Sequence, residues 1–153
     1  MKSRWPNHSP DTLWHCPKCD RPFANRNQSH SCGQYSVKDF LVGKNENSIG
    51  LFNRFREMIE SCGPIILAPA KARVGFQVRM IFASVNKLND DGLFAHVVLA
   101  RRFEHPRFIK VESFSPRNHA NNFRIQTLEE LDDEVLEWIR ESYRVGNQEH
   151  LRK

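Results

Sequence analysis

The residues of this chain best placed to do chemistry are three of its four cysteines, which gather near the start with a histidine. Cys16-Pro17-Lys18-Cys19 is followed by His30-Ser31-Cys32, a C-x2-C-x10-H-x-C pattern. A two-residue knuckle points both thiolates at one ion, because its turn amides face the sulfurs. A His and a Cys returning from a short loop complete a tetrahedral, sulfur-rich set that suits zinc. With four protein ligands such a site is closed, and its zinc is structural. His15 is a competing imidazole, so the pattern leaves the nitrogen ligand open between His15 and His30. Arg21 and Arg26 lie where cations offset thiolate charge, and Phe23 is expected to pack beneath the ion.

Other uses of these cysteines fit less well. A redox dithiol normally opens a helix after a strand in a larger α/β pattern, whereas here no strand signal precedes Cys16 and Pro22 follows closely. A disulfide framework belongs to secreted chains, and the polar start MKSRWPNHSP lacks the apolar stretch of a secretory signal. Cys62, at the end of an apolar helical pattern, reads as a core thiol. The chain carries no apolar run of membrane-spanning length, so the expectation is a soluble, cytoplasmic protein that does not enter a membrane.

The elements that must position the site follow from periodicity. Ser36 with Asp39 predicts a capped short helix to about Leu41, and Phe52, Phe55, Ile59 and Cys62 predict a helix over 48–62 stopped by Gly63-Pro64. Val74, Phe76, Val78, Met80 and Phe82 alternate with Arg73, Gly75, Gln77, Arg79 and Ile81, which predicts one strand over 73–82. Further strands are expected at Leu93–Ala100, Phe108–Phe114 and His119–Gln126, with a short edge strand at Ile65–Leu67. Thr127-Leu128-Glu129-Glu130 predicts a capping box opening a last helix with Leu131, Val135 and Tyr143 on its apolar face. Strands joined by short turns and flanked by helices define an α+β fold: an antiparallel sheet of about five strands, preceded by a zinc-knuckle segment. The expected organisation is a knuckle-like segment over 1–35, an α+β domain over 36–147 and a frayed tail over 148–153.

At this point several stretches resemble the uncharacterised bacterial domain-of-unknown-function 5655 family: HCPKCDRPFANRNQSHSC, GPIILAPAKARVGFQVRMIFASV, VVLARRFEHPRF, SPRNHANNFRI and LDDEVLEWIRESYRVG. The resemblance spans nearly the whole chain, including the Cys/His segment that many members carry. It implies a compact α+β domain with a zinc-knuckle-like extension. Related domains occur attached to nuclease-like modules, which favours a nucleic-acid setting; no member's chemistry carries over.

Charge adds a second candidate. Residues 63–126 hold ten basic and four acidic groups, whereas residues 127–153 hold four basic and eight acidic ones. Such a dipole steers anionic partners. Lys71, Arg73, Gln77 and Arg79 share strand parity and so are expected on one sheet face, joined by Arg102 and His119 as an anion-binding set. His96 and His105 could add neutral donors. The expected function is a zinc-stabilised binding module that engages DNA, RNA or a phosphorylated small molecule through this basic face, with no catalytic residue assigned. The alternative is an enzyme acting on a small anionic substrate with the same Arg and His residues. Searches for catalytic motifs fail: Gly43-Lys44 lacks a phosphate-cradling glycine loop, Lys110-Val111-Glu112 reverses the Glu-x-Lys order of common nucleases, and no nucleophile elbow surrounds Ser113 or Ser115.

Overall fold

The computed structural model describes residues 13–24, 26, 30, 32–102 and 104–149. A two-stranded antiparallel ribbon comes first, β1 (Trp14–His15) and β2 (Pro22–Phe23), with the Cys16–Cys19 knuckle as its turn. Ser36 and Asp39 form the expected capping box on α1 (Val37–Leu41). The longer helix α2 spans Glu46–Glu60 and starts before the expected Ser48, because the Asn45 side chain accepts from the Ser48 amide at 2.7 Å and takes the cap position.

Six strands then build one antiparallel sheet: β3 (Ile66–Pro69), β4 (Val74–Gln77), β5 (Ile81–Asn89), β6 (Gly92–Leu99), β7 (Lys110–Ser115) and β8 (Asn118–Ile125). Their order is β3-β4-β5-β6-β8-β7. The single strand expected over 73–82 is corrected to a hairpin, since the chain bends at 78–80 between β4 and β5. The alternation survived that bend in the sequence because Val78 is buried in the core on its far side. Thr127 does form a capping box, but it opens a 3-10 turn (Leu128–Glu130). A second cap, Asp132, accepts from the Val135 amide and starts α3 (Asp133–Gly146).

One face of the sheet is covered by α2 and α3. Phe52, Phe55 and Ile59 of α2 and Val135 and Ile139 of α3 are fully buried against Phe76, Val85, Val97 and Phe123. Burying each such side chain contributes about 1.5–3 kcal/mol. Cys62, expected as a buried core thiol, is only partly buried and packs against the edge of this core.

The opposite face positions polar groups in a row set by the register: Gly75 pairs with Ser84, Ser84 with His96, His96 with Asn122, and Asn122 with Lys110. A bulge in β5 between Val85 and Lys87 inserts Asn86 as an extra residue. It places Asn86 on this open face while returning Leu88 to the core, which simple alternation would forbid. Among the described residues no helix is long and apolar enough to cross a membrane.

Candidate functional site

The knuckle is shaped by backbone hydrogen bonds. The Asp20 amide donates to the Cys16 carbonyl at 2.7 Å and the Cys16 amide to the Arg21 carbonyl at 3.0 Å, with Asp20 in the left-handed region at φ 62°. Cys32 also has positive φ, 52°, and Gly33 follows at 78°, so the chain turns sharply as it brings its last sulfur in. The ligand atoms of Cys16, Cys19, His30 and Cys32 all lie within 4.8 Å of one another. Cys16 Sγ is 3.7 Å from Cys32 Sγ, and Cys19 Sγ is 3.3 Å from His30 Nε2. A tetrahedron with Zn–S bonds of 2.3 Å has sulfur–sulfur edges of about 3.8 Å. The Cys16–Cys32 edge therefore matches a tetrahedral site, and all four donors lie close enough to share one metal ion. His30 completes the set, while His15 Nδ1 turns to Asp20, 3.3 Å from its carbonyl oxygen.

The thiols themselves show why this set calls for a cation. The Cys19 backbone amide holds Cys16 down to about 6, whereas burial and then the neighbouring Cys16 push Cys32 up to about 11. Sulfurs packed this closely do not all ionise without an ion between them, and binding a metal displaces the remaining protons. Phe23 is buried as expected and its ring centroid sits 4.5 Å from that of His30. Arg21 also packs on the Phe23 ring, with its guanidinium carbon 4.4 Å from the ring centroid. Three thiolates around one divalent ion would carry a net charge of −1, which the Arg21 guanidinium beside them would offset. The ribbon is tied to the sheet by Gln77, whose Nε2 donates to the Pro22 carbonyl.

The expected anion-binding residues lie in separate places. Lys71 and Arg73 are exposed in the β3–β4 turn, where the Ala70 amide donates to the Arg73 carbonyl. Gln77 is 1% exposed beneath the ribbon. Beyond the bend, Arg79 Nε donates to Gln148 Oε1 at 2.9 Å, next to the end of α3. Parity thus unites Arg73 and Gln77 but does not extend to Arg79. Arg102 donates to Ser113 Oγ at 3.0 Å, and that oxygen lies 2.8 Å from His119 Nδ1. His119 Nε2 donates to the Pro116 carbonyl at 3.1 Å, so both ring nitrogens of this buried histidine have protein partners.

The charge dipole seen in the sequence is partly folded against itself. Arg101 pairs with Glu141 at 3.1 Å, Arg107 with Asp132 at 3.1 Å and Glu134 at 3.4 Å, and His105 with Glu134 at 2.9 Å. These partners are all on or beside α3, so two of the middle segment's ten basic groups, Arg101 and Arg107, are paired there.

A cleft of about 380 Å³ lies where the metal segment meets the open sheet face. Arg21 and His30 line it from the metal side, and Arg73, Ser84 and His96 line it from the sheet. His96, one of the neutral donors suggested by the sequence, is the sole polar side chain in the nearly continuous apolar run of β6. A hydrogen-bond chain fixes its tautomer. Asn122 Nδ2 donates to the Lys110 and Ala120 carbonyls, which leaves Asn122 Oδ1 to accept from Asn86 Nδ2 at 3.4 Å. The same Asn86 amide donates to His96 Nδ1 at 2.9 Å. The proton of the neutral ring is therefore on Nε2, making His96 a donor toward the cleft. Burial, then the charge of Arg73, lower the His96 pKa to about 4, with Glu112 opposing, so the ring is neutral at physiological pH.

Residues 37–146 match the family model described as a domain of unknown function (DUF5655), and the chain belongs to that family. The match starts after Cys32, so the Cys/His tetrad lies outside it. No curated protein and no solved structure matches the chain.

Proposed function

We propose that the chain is a zinc-stabilised binding module that takes up a phosphate-bearing ligand, free or in DNA or RNA, in the cleft between the metal ribbon and the open sheet face. The zinc assignment is supported by the three-sulfur, one-nitrogen donor set, which is soft and tetrahedral in spacing. Zinc here is structural: it holds the ribbon that forms one wall of the cleft. The observation that carries the ligand assignment is the convergence of Arg21, Arg73 and the His96 Nε2–H on one concavity, while Arg101 and Arg107 are turned to carboxylates. A guanidinium and an oriented imidazole N–H are suited to phosphate oxygens. The cleft's volume falls at the lower end of the roughly 300–1,000 Å³ typical of small-ligand sites.

The reading is tested with zinc-loaded protein titrated calorimetrically with inorganic phosphate, ribose 5-phosphate and a short single-stranded oligonucleotide at about 50 mM salt, then at higher salt. Binding that weakens with salt and drops in Arg73→Ala is expected. Heat signals absent for every probe, or unchanged in Arg73→Ala, contradict it. The second reading, an enzyme on a small anionic substrate, is favoured by His96 alone, a perturbed titratable group in a cleft. His119 does not serve it, since both its nitrogens are engaged.

A further inference from the structure

Three residues that line the cleft each carry a polar atom without a protein partner. Arg21 Nε and Asn118 Oδ1 are buried without a hydrogen bond, and His96 Nε2–H is left over once Asn86 has taken Nδ1. All three residues line the same concavity. Native folds leave few buried polar atoms unpaired, so orphans that converge on one space mark where a ligand's polar atoms would sit. Two of these are donors and one is an acceptor. A bare phosphate satisfies only the donors; Asn118 Oδ1 calls for an N–H or O–H on the same ligand.

Apart from His30, Arg73 and Ser84, the rest of the lining is apolar. Ala68, Pro69 and Ile81 form it near β3 to β5, and Val98 and Phe114 near β6 to β7. Phe114 is 69% exposed, an accessible aromatic ring in the lining. Sheet order separates the two kinds of group. Arg73 precedes β4 and Asn118 starts β8, three strand spacings or about 14 Å away across the sheet, and the register sets Asn118 five residues along β8 from Phe123, which stands level with Val74. His96, on β6, stands between.

We infer that the ligand is a nucleotide unit whose phosphate meets Arg73, Arg21 and His96, while its base lies against Phe114 and donates an N–H to Asn118 Oδ1. The inference rests on the phosphate-binding reading above and narrows it. A base has a flat face for the ring of Phe114 and edge N–H groups for the orphan acceptor, and a phosphate supplies several acceptor oxygens for the donors. The unit can be a free mononucleotide or one residue of a single strand.

The experiment compares adenosine and cytidine monophosphates with ribose 5-phosphate, inorganic phosphate and a short single-stranded oligonucleotide, by calorimetry on the zinc-loaded full chain. Mononucleotides are expected to bind at least about fivefold more tightly than ribose 5-phosphate, the lower end of aromatic–base stacking. Phe114→Ala, at an exposed position, should erase that advantage and leave ribose 5-phosphate binding unchanged. An oligonucleotide binding more tightly than its mononucleotide identifies the source as a strand; equal or weaker binding identifies a free nucleotide. Ribose 5-phosphate matching the mononucleotides, or a Phe114→Ala protein that keeps the preference, overturns the nucleotide assignment while leaving phosphate binding intact. Failure of every phosphate compound to bind overturns both.

Discussion

Acidification should weaken the fold through His96, by an amount that the structure sets. Burial, reinforced by Arg73 and opposed by Glu112, takes its pKa from 6.5 to about 4 in the folded state. As pH falls through 6.5 the unfolded chain binds a proton that the folded chain refuses until about 4. The stabilisation is complete above 6.5, declines between 6.5 and 4, and is exhausted below 4. At 1.36 kcal/mol per unit, the displacement corresponds to about 3 kcal/mol. Urea denaturation of the wild type and of His96→Gln across pH 7.5 to 4, with zinc content followed in both, isolates this contribution. Groups common to the two proteins cancel in the difference, and any constant cost of the substitution appears as an offset at neutral pH. The wild type should lose about 3 kcal/mol more than the variant over the interval. A difference curve flat to within about 0.5 kcal/mol, or a His96 ring titrating near the ordinary histidine value by NMR, would refute the reasoning.

Three further outcomes follow from packing. Gln77→Glu would set a carboxylate oxygen against the buried Pro22 carbonyl in place of the donor that ties ribbon to sheet; at pH 8 it should cost about 2–4 kcal/mol in urea denaturation and speed zinc loss to a chelator. Gly146→Ala normally favours a helix, but here its Cβ would lie 2.5 Å from Phe82 Cδ1; overpacking of about 1–3 kcal/mol should win, read as a lower Tm by circular dichroism. Arg107→Ala removes a 2.6 Å hydrogen bond to the Glu130 carbonyl and the pairing with Asp132. It should destabilise by about 1–2 kcal/mol, mostly through the carbonyl, and the loss should persist at high salt.

Local signals were legible in the sequence and long-range ones were not. The spacing of Cys16, Cys19, His30 and Cys32 identified the tetrad because ligand geometry is written into a short stretch of chain. The ribbon that presents it escaped notice, since strands of two residues have no period to read. The bulge at Asn86 broke the alternation of β5 and concealed most of that strand. It also concealed the residue that orients His96. Asn45 and Ser48 are both capping types, and only the structure distinguishes the cap from the residue whose amide it receives. The basic face illustrates the limit most clearly: Arg101 and Arg107 find carboxylates 25 to 40 residues onward, partnerships that a charge count along the chain cannot reveal.

The knuckle and the cleft wall it forms depend first on the metal, which elemental analysis of freshly purified, never-chelated protein measures directly. One zinc per chain is predicted, lost in Cys16→Ser and Cys32→Ser and retained in His15→Ala. Protein free of stoichiometric metal, or a zinc content unmoved by the cysteine substitutions, would contradict it.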